Sequence, residues 1–301
     1  MTQILKVHNL SKKFGNKQVL DHVSFTILRG KVVGLVGPNG AGKSTIMKAI
    51  LGLYPSFSGQ VVFDGRSVKA HDQSVFRKVG FLIEKPAIYP FLTGLQHFQL
   101  YSSNKADIQE VIDELHMNHY INRKATHYSL GMKQKLGIAL AIINQPELVI
   151  LDEPMNGLDP QSNRDLRHLI MKRAKKGTTF IVSSHILSEL AKIVDDVILI
   201  NDGKVVLATA ISELRQADNH DYILQTRNNI EAKEILVNNG YQAEIRNGQI
   251  SVTLSASQGI VELLPFLINH GIAITNIYHC QTDIESILVK MLDESKSEVR
   301  A

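Results

Sequence analysis

The sequence predicts an α/β fold with a parallel, helix-covered sheet, followed by a small α+β domain. The nearly all-apolar segment "KVVGLVG" at residues 31–37 is typical of a strand buried on both faces. Between residues 147 and 200, apolar strand patterns alternate with helical patterns, which indicates parallel strands joined by helices. After about Gln216 the polar stretch "ADNHD" indicates a linker. We therefore expect two domains, at residues 1–217 and 218–301.

The larger domain begins with strands and continues into a helical subdomain. Strand patterns occur in "ILKVHNL" and "QVLDHVSFTIL", and the buried segment then leads through a Gly-rich turn into the helix "STIMKAILGL". The stretch "GQVVFDGRSV" predicts a hairpin that turns at Asp64 and Gly65. Residues 89–145 are mainly helical, with helices in "DIQEVIDELHM" and "LGMKQKLGIALAII". The first of these helices has an apolar face made of Ile108, Val111, Ile112 and Leu115.

The remaining elements complete the two domains. In the first domain, strands "ELVILDE", "TTFIVSS" and "DVILI" alternate with helices at about residues 162–175 and 186–193, and "NDGK" turns a last hairpin. The second domain has the order strand, helix, strand, strand, helix, strand, which is the split βαβ or ferredoxin-like pattern. Asn247 and Gly248 join its middle strands in a hairpin. Thr282 and Glu285 fit a capping box that starts a final helix.

The composition is that of an ordinary globular protein, with 44% hydrophobic and 21% charged residues among 301. The net charge of +4 is small, and the basic run "MKRAKK" is interpreted as a solvated helix end, so we expect no nucleic-acid partner. Cys280 is the single cysteine, which excludes an internal disulfide and suits a reducing cytoplasm. No apolar segment reaches the roughly 20 residues of a membrane span, so any membrane role should come through partners.

A phosphate-binding loop is the first site that the sequence predicts. The segment "GPNGAGKST" follows the buried strand, opens a helix and fits G-x-x-x-x-G-K-[ST]. Its glycines let backbone N–H groups face phosphate oxygens, and the helix N-terminus favours negative charge. We expect Lys43 to reach the terminal phosphates and Ser44 to bind Mg²⁺. The predicted nucleotide-binding residues of the loop are Gly37, Pro38, Asn39, Gly40, Ala41, Gly42, Lys43, Ser44 and Thr45.

Two acids end the apolar strand "LVILDEP". Acids at the carboxyl end of a strand face the ligand crevice of an open α/β sheet. Asp152 suits a contact with Mg²⁺ or its water, and Glu153 suits the positioning or deprotonation of the attacking water. The alternative is that the acids only cap a following helix.

The segment "YSLGMKQK" precedes a helix with Ser129 in the N-cap position, and the alternative is that it starts a helix and does nothing more. With it, residues 1 to about 215 resemble the ABC ATPase family. "GPNGAGKST" is similar to the Walker A motif of that family, "LVILDE" to its Walker B motif and "YSLGMKQ" to its signature. "NGLDP", which contains Asp159, is similar to its D-loop, and His185 to its switch histidine. Phe14 lies where the family places an aromatic ring against adenine.

The resemblance implies an enzyme that hydrolyses ATP with Mg²⁺. Two nucleotide-binding domains would close head to tail around two ATP molecules, so a second ATPase subunit is expected, most simply in a homodimer. Ser129, Gly131 and Met132 would then act in trans, on the nucleotide that the other subunit's Walker A holds. His185 would contact the γ-phosphate, and Asp159 would couple the two sites. Ordinary packing of the histidine and a turn role for the aspartate are the alternatives.

The signature departs from the common Leu-Ser-Gly-Gly-Gln. Tyr128, Leu130 and Met132 replace its first, third and fifth residues. Ser129 and Gly131, which the resemblance implies are the phosphate contacts, remain. A working site is therefore expected.

Glu84, in "IEKPAIYPFLTG", stands where most members of the family have glutamine. The resemblance places it in a coupling loop that senses Mg²⁺ and faces the membrane subunit, so Glu84 is a candidate metal ligand. Glutamate keeps an oxygen ligand but loses the amide donor and adds a charge. This feature, with "YSLGMKQKLGIALA", resembles the branch associated with bacitracin and lantibiotic resistance. The alternative is an importer or exporter of unrelated cargo.

The predicted function is therefore that of the ATPase subunit of a transporter at the cytoplasmic face of the membrane. It would power integral membrane subunits that export or expel an antimicrobial peptide or drug. The alternatives are a soluble ABC ATPase of translation or DNA repair and a regulator with incidental hydrolysis. His116 and His119 are a possible metal pair, but helix-surface packing is favoured. The C-terminal domain is expected to serve dimer contact or regulation.

Overall fold

The computed structural model describes residues 2–70, 77–185, 190–216, 221–246, 248–254 and 259–279. These residues fall into two compact units, of which the first ends its main segment at Ile211 and the second begins at Ser212. The predicted linker "ADNHD" lies almost entirely outside the described residues. The domain boundary at residue 217 therefore stays a prediction.

A six-stranded sheet forms the centre of the first unit and has the order β10-β9-β3-β8-β7-β6. Its strands are parallel except for the hairpin of β9 and β10, so the predicted α/β class is confirmed. Three neighbouring strands, β3, β7 and β8, are buried along their whole length, as expected of strands covered on both faces. The strands are β3 Val32–Val36, β6 Val79–Leu82, β7 Leu148–Leu151, β8 Thr179–Ser184, β9 Asp196–Asn201 and β10 Lys204–Ala210.

A second, antiparallel sheet has the order β2-β1-β4-β5 and supplies the other layer of this unit. Its strands are β1 Gln3–Phe14, β2 Lys17–Leu28, β4 Ser58–Phe63 and β5 Arg66–Ser67, and the last two form the predicted hairpin. Helix α1, Lys43–Ile50, packs between the two sheets. One apolar core contains Leu5 and Leu20 of this sheet, Ile46 of α1, and Ile150 and Ile198 of the central sheet.

The helical subdomain contains α2 Gly94–Tyr101, α3 Lys105–Glu114 and α4 Leu130–Ile142, with a short 3-10 turn at Ala125–His127. The four apolar residues that the sequence placed on one helix face are all buried: Ile108, Val111 and Ile112 in α3, and Leu115 at its C-cap. Each of the three helices has a polar N-cap whose side chain accepts hydrogen bonds from the first turn: Thr93, Asn104 and Ser129.

The helix after β7 begins earlier than the sequence pattern predicted. Helix α5 spans Pro160–Lys175 rather than residues 162–175. Asp159 caps it, and Pro160 occupies the first helical position, where the missing N–H has no partner to lose. Half of the helix predicted at residues 186–193 lies outside the described residues. Across the described ranges, no helix has both the length and the apolar character that a membrane span requires.

The second unit has one four-stranded sheet with all neighbours antiparallel and the order β12-β13-β11-β14. Its elements follow the predicted split βαβ order, after the short α6 Ile211–Gln216. They are β11 Asp221–Thr226, α7 Asn229–Asn238, β12 Gln242–Arg246, β13 Gln249–Thr253, α8 Ile260–Asn269 and β14 Ile274–His279. Both helices pack on the sheet around Leu224, Leu236 and Leu267. The predicted turn residue Asn247, the lone Cys280 and the capping box at Thr282 lie outside the described residues.

Candidate functional site

A glycine-rich loop joins β3 to α1 at the carboxyl edge of the central sheet. Gly37 must lack a side chain, since a Cβ atom there would lie 2.1 Å from the carbonyl oxygen of Ile200. Gly42, the N-cap of α1, has φ +108°, a conformation that side-chain-bearing residues rarely adopt. These two positions bring the loop close to the sheet and direct it into the helix, so that the first backbone N–H groups of α1 are free for an anion.

Lys43 folds back over this loop. Its Nζ donates to the carbonyl oxygens of Gly37, at 2.6 Å, and of Pro38, at 3.1 Å. Burial lowers the pKa of Lys43, while the nearby carboxylates of Glu153 and Asp152 act in the opposite direction. The side chain is only 6% exposed, so its cation is held in place within the loop.

Asp152 follows β7 and is the centre of a short hydrogen-bond network. The hydroxyl of Ser44 donates to its Oδ2 and that of Ser183 donates to its Oδ1, each at 2.6 Å. The Ser183 oxygen also accepts from the backbone N–H of Glu153 at 2.8 Å. Sequence reasoning missed Ser183, although two serines at the end of the apolar strand "TFIVSS" were a signal of buried polar contacts there.

Glu153 connects three of the predicted motifs. Its Oε2 lies 2.8 Å from Nδ1 of His185, and its Oε1 lies 3.9 Å from Nζ of Lys43. The backbone of Glu153 has φ +48°, an uncommon conformation for a residue other than glycine, and the hydrogen bond to Ser183 helps to hold it. A carboxylate held between a cation and an imidazole is suited to orient a water molecule.

Lys43, Ser44, Asp152 and Glu153 face one cavity of about 340 Å³, which is a size that suits a small ligand. The cavity is lined by Val19, Asn39, Gly40, Gly42, Lys43, Ser44, Thr45, Glu84, Asp152 and Glu153. Val19, on β2, was not identified from the sequence, because an apolar strand residue carries no local sign of a ligand contact.

Glu84 lies at the edge of this cavity in the loop after β6. Its backbone has φ +61°, and its Oε1 lies 2.6 Å from Nζ of Lys48. That contact raises the pKa of Lys48, chiefly through the hydrogen bond. The carboxylate of Glu84 is therefore bound to α1 here, and sequence reasoning did not identify Lys48 as its partner.

The oxygen atoms of this site fit a hard divalent cation. Ser44 supplies a hydroxyl and Asp152 a buried carboxylate, and the two are in direct contact. Glu84 adds a second carboxylate to the cavity wall. Mg²⁺ prefers such oxygen ligands together with water and phosphate. Within the described ranges there is no group of three or more histidine, cysteine and acidic side chains that would hold a softer metal.

The other predicted site residues lie outside this cavity. Ser129 caps α4 by accepting from the backbone N–H of Met132 at 3.2 Å, and it is exposed. Leu130 beside it is 71% exposed. Gly131 and Met132 are half-buried in the first turn of α4. Gln134, one turn further, donates to the carbonyl oxygen of Pro154, which connects this helix to the loop after Glu153.

Asp159 has a clear local role as the cap of α5. Its carboxylate accepts from the hydroxyl of Ser162 at 2.5 Å and from the backbone N–H groups of Gln161 and Ser162 at 3.0 Å each. These bonds, led by the one from the Ser162 side chain, lower the pKa of Asp159 to about 2. The acid is therefore ionised at neutral pH.

Phe14 is 46% exposed at the end of β1 and does not line the cavity. Its ring meets Tyr54 edge to face, with centroids 5.4 Å apart. Nζ of Lys12 lies 5.1 Å from the Phe14 centroid and 5.0 Å from that of Tyr54. The ring thus has partners within the chain and is still about half exposed.

Comparison with known proteins finds a match to the family described as ABC transporter, over residues 20–156. An uncharacterized ABC transporter ATP-binding protein, YdbJ of Bacillus subtilis, is 35% identical, over 98% of this chain and 97% of its own. The bacitracin transport ATP-binding protein BcrA of Enterococcus faecalis is 32% identical, over 97% of each chain. The lantibiotic transport ATP-binding protein SrtF of Streptococcus pyogenes is 40% identical, over 68% of this chain and 90% of its own.

Solved structures agree with the fold of the first unit. The ATP-binding subunit of an ABC transporter superimposes with a TM-score of 0.65 at 30% identity, over 71% of this chain and 92% of that one. The cassette MJ0796, described as a dimer in a post-hydrolysis state bound to ADP and Pi, superimposes with a TM-score of 0.63 at 25% identity. That match covers 69% of this chain and 99% of the cassette.

Proposed function

The chain belongs to the ABC transporter ATP-binding proteins, a family that hydrolyses ATP, and we propose that it powers the export or expulsion of an antimicrobial peptide. The observation that carries this proposal is that Lys43, Ser44, Asp152 and Glu153 line one cavity, with His185 in contact with Glu153. The names of BcrA and SrtF support the choice of cargo, and BcrA is similar along almost the whole chain.

In this proposal the phosphates of ATP lie against the glycine-rich loop. The N–H groups at the start of α1 bind phosphate oxygens, which satisfies donors that the helix itself leaves free. Lys43 exchanges the carbonyl oxygens of Gly37 and Pro38 for a phosphate oxygen. Because its ammonium is already desolvated, this exchange needs little rearrangement of solvent.

Ser44 and Asp152 are the residues that would hold Mg²⁺. When bound, the ion neutralises charge on the phosphates. Ser183 keeps the carboxylate of Asp152 oriented from the opposite side, so one oxygen of Asp152 faces Ser44 and the cavity. The fit of the oxygen set supports this assignment.

Glu153 then positions and deprotonates the water that attacks the γ-phosphate. His185 holds one of its oxygens, and the backbone of Glu153 is fixed by Ser183. The same imidazole contacts the γ-phosphate in the proposal. Phe14 offers the exposed part of its ring to adenine.

The site is completed by a second subunit. Ser129, Gly131 and Met132 lie outside the cavity of their own chain, and Ser129 is exposed, which fits contacts made to the nucleotide of a partner. Asp159 follows the loop after Glu153 and is proposed to couple the two sites. The dimeric state of the similar cassette MJ0796 supports this arrangement, and a homodimer is the simplest form of it.

Integral membrane subunits are the proposed partners, at the cytoplasmic face of the membrane. A groove of about 510 Å³ lies beside β6 and α4 and has mainly apolar walls. Phe81, Leu82, Pro86 and Leu140 are among the residues that line it. We propose that the membrane subunits bind at this groove. The second unit is proposed to serve dimer contact or regulation.

The first test isolates the partners. A tagged Glu153→Gln protein, purified from its native cells with ATP and mild detergent, should be trapped in the closed dimer and retain polytopic membrane proteins. The same protein carrying Lys43→Met as well is the control, since it should bind no nucleotide. Enrichment of ribosomes or DNA-repair proteins, without membrane proteins, would contradict the transporter assignment.

A second test addresses the cargo. Cells without the protein should become severalfold more sensitive to bacitracin or to a lantibiotic, and the wild-type chain should restore resistance. Glu153→Gln is the control, because it should fold like the wild type but should not restore resistance. Equal sensitivity with and without the chain to both peptide classes would reject the cargo, while ATP hydrolysis by the purified complex would still support the ATPase role.

A further inference from the structure

The proposed function gives no role to the contact between Lys48 and Glu84. Lys48 lies one helical turn after Ser44 on α1, so the two side chains leave the same face of the helix. Ser44 donates to Asp152, and Lys48 binds Glu84 at 2.6 Å. One helix face therefore holds both of these cavity carboxylates, one through a hydroxyl and one through an ammonium group.

We propose that Lys48 is a positioning residue that acts through Glu84, holding the carboxylate against α1 and away from the Ser44–Asp152 oxygen pair. In this arrangement Lys48 competes with a divalent cation for the oxygens of Glu84. Glu84 would join the metal–nucleotide complex when the cation displaces Lys48 from its carboxylate. The inference rests on the proposed function and deepens it, since it concerns the same site.

The ion pair between Lys48 and Glu84 is weak enough for a divalent cation to replace it. The side chains of Lys48 and Glu84 are 28% and 63% exposed, so the pair is partly solvated and screened. It orients the carboxylate, but it is weak enough to open when a doubly charged cation is bound nearby. By contrast, the carboxylate of Asp152 is buried and fixed by two hydroxyl groups, so it has no comparable second position.

The loop that carries Glu84 lies between the nucleotide cavity and the groove beside β6 and α4. Glu84 lines the nucleotide cavity, while Leu82 at the end of β6 and Pro86 and Ala87 of the same loop line the groove beside β6 and α4. The backbone at Glu84 has φ +61°, and the chain bends at this residue, which Lys48 holds. Release of the carboxylate would therefore free the loop at the point between the two cavities.

Magnesium binding measures this proposal without measuring hydrolysis. The purified full-length protein, with a saturating fluorescent ATP analogue that is not hydrolysed, is titrated with MgCl₂. Lys48→Gln should tighten the apparent Kd for Mg²⁺ by roughly three- to tenfold, because Glu84 is released to the ion. Lys48→Arg should stay near the wild-type value, since it keeps the cationic partner.

The decisive comparison places Lys48→Gln in a Glu84→Gln background. If Lys48 acts through Glu84, the substitution should have no more than about a twofold effect there, because the group it acts on is gone. If Lys48 were only a distant positive charge, its removal would tighten Mg²⁺ binding equally in both backgrounds, and that result would overturn the proposal. A lowered melting temperature with an unchanged Kd for Mg²⁺ would also overturn it, since the pair would then be purely structural.

Two controls separate this inference from the proposed function. Lys172→Gln removes a lysine from an ion pair with Glu114 at a site that is not part of either cavity wall, and the Kd for Mg²⁺ should not change. Wild-type protein that bound no ATP analogue at any magnesium concentration would reject the proposed function, and this inference with it. Wild-type binding with unchanged Lys48→Gln behaviour would reject the inference alone.

Discussion

At the scale of single residues, the site depends on one serine that has no direct contact with a ligand in the proposal. Ser183 is fully buried, donates to Asp152 and accepts from the N–H of Glu153. It therefore fixes the side chain of one acid and the backbone of the next. Breaking these buried hydrogen bonds costs free energy, because the carboxylate of Asp152 and the N–H of Glu153 would each lose a partner that water does not replace.

Replacing Ser183 with alanine should lower both stability and ATP hydrolysis. We expect a loss of about 1–3 kcal/mol in the free energy of unfolding and a larger proportional loss in kcat than in nucleotide affinity. Denaturant unfolding and steady-state kinetics measure the two effects. Thr179→Val, at the other end of β8, is the matched control, since Thr179 accepts from the N–H of Gly30 far from the acids. An unchanged kcat in Ser183→Ala would contradict the positioning role.

At the scale of elements, an ionic cluster joins α3 of the helical subdomain to α5. Arg173 is only 3% exposed, and its Nη2 donates to Glu114 at 2.8 Å. Its Nη1 lies 3.8 Å from the equally buried Asp107, which also accepts from the backbone N–H of Asn144. The guanidinium compensates the buried carboxylate of Asp107 and the largely buried one of Glu114. It therefore connects two helices, and the interpretation of "MKRAKK" as a solvated helix end is wrong for Arg173.

Substitution of Arg173 tests this cluster. Arg173→Met should destabilise the protein by about 3–5 kcal/mol, because it leaves buried carboxylates without a compensating charge. Lys172→Met should change the free energy of unfolding by no more than ~1 kcal/mol, since Lys172 is half exposed and its ion pair is screened. Chemical denaturation of both variants measures the difference. Equal losses in the two variants would show that burial does not determine the effect.

The cap of α5 makes a prediction about pH. The bonds from Ser162 and Gln161 hold the pKa of Asp159 at about 2, below its usual value of 3.8. Because the folded state favours the ionised form, the cap stabilises fully above about pH 4 and loses this contribution as the pH falls through 2. Asp159→Ala should lower the melting temperature at pH 7, and the difference from wild type should shrink between pH 4 and pH 2. Asp159→Asn keeps a capping oxygen, so its melting temperature at pH 7 should fall less than that of Asp159→Ala.

At the scale of the whole molecule, each nucleotide site is proposed to need two chains. Ser129 caps its own helix and is also the proposed contact with the partner's nucleotide, so removing it would mix two effects. Ser129→Asp separates them, because aspartate is an equally good N-cap but places a negative charge toward the phosphates.

Ser129→Asp should leave the melting temperature nearly unchanged and abolish the ATP-dependent dimer of Glu153→Gln protein. Sedimentation velocity with and without ATP measures the dimer, and a thermal melt confirms the fold. Ser129→Asn is the control, since it keeps the cap without the charge and should dimerise better than the aspartate variant. Normal dimerisation of Ser129→Asp would exclude this segment from the interface.

The sequence by itself determined the order and type of most of the described elements and the position of the glycine-rich loop. Local causes explain this: "VVGLVG" has no polar side chain to place at a surface, Asp64-Gly65 favours a tight turn, and Gly42 adopts a φ that other residues avoid. The acids Asp152 and Glu153 were found for the same reason, since they directly follow an apolar strand. Each of these signals lies within a few residues of the feature that it predicts.

Only the tertiary structure decided which distant groups meet. Ser183 reaches Asp152 across 31 positions of the chain, and Lys48 reaches Glu84 across 36. Neither residue belongs to a recognisable motif, because a serine in a strand and a lysine in a helix are ordinary in isolation. The sheet order β3-β8-β7-β6 places these strand ends side by side. Contacts of this kind depend on which elements pack together. A single polar contact between two elements leaves no periodic pattern in the sequence.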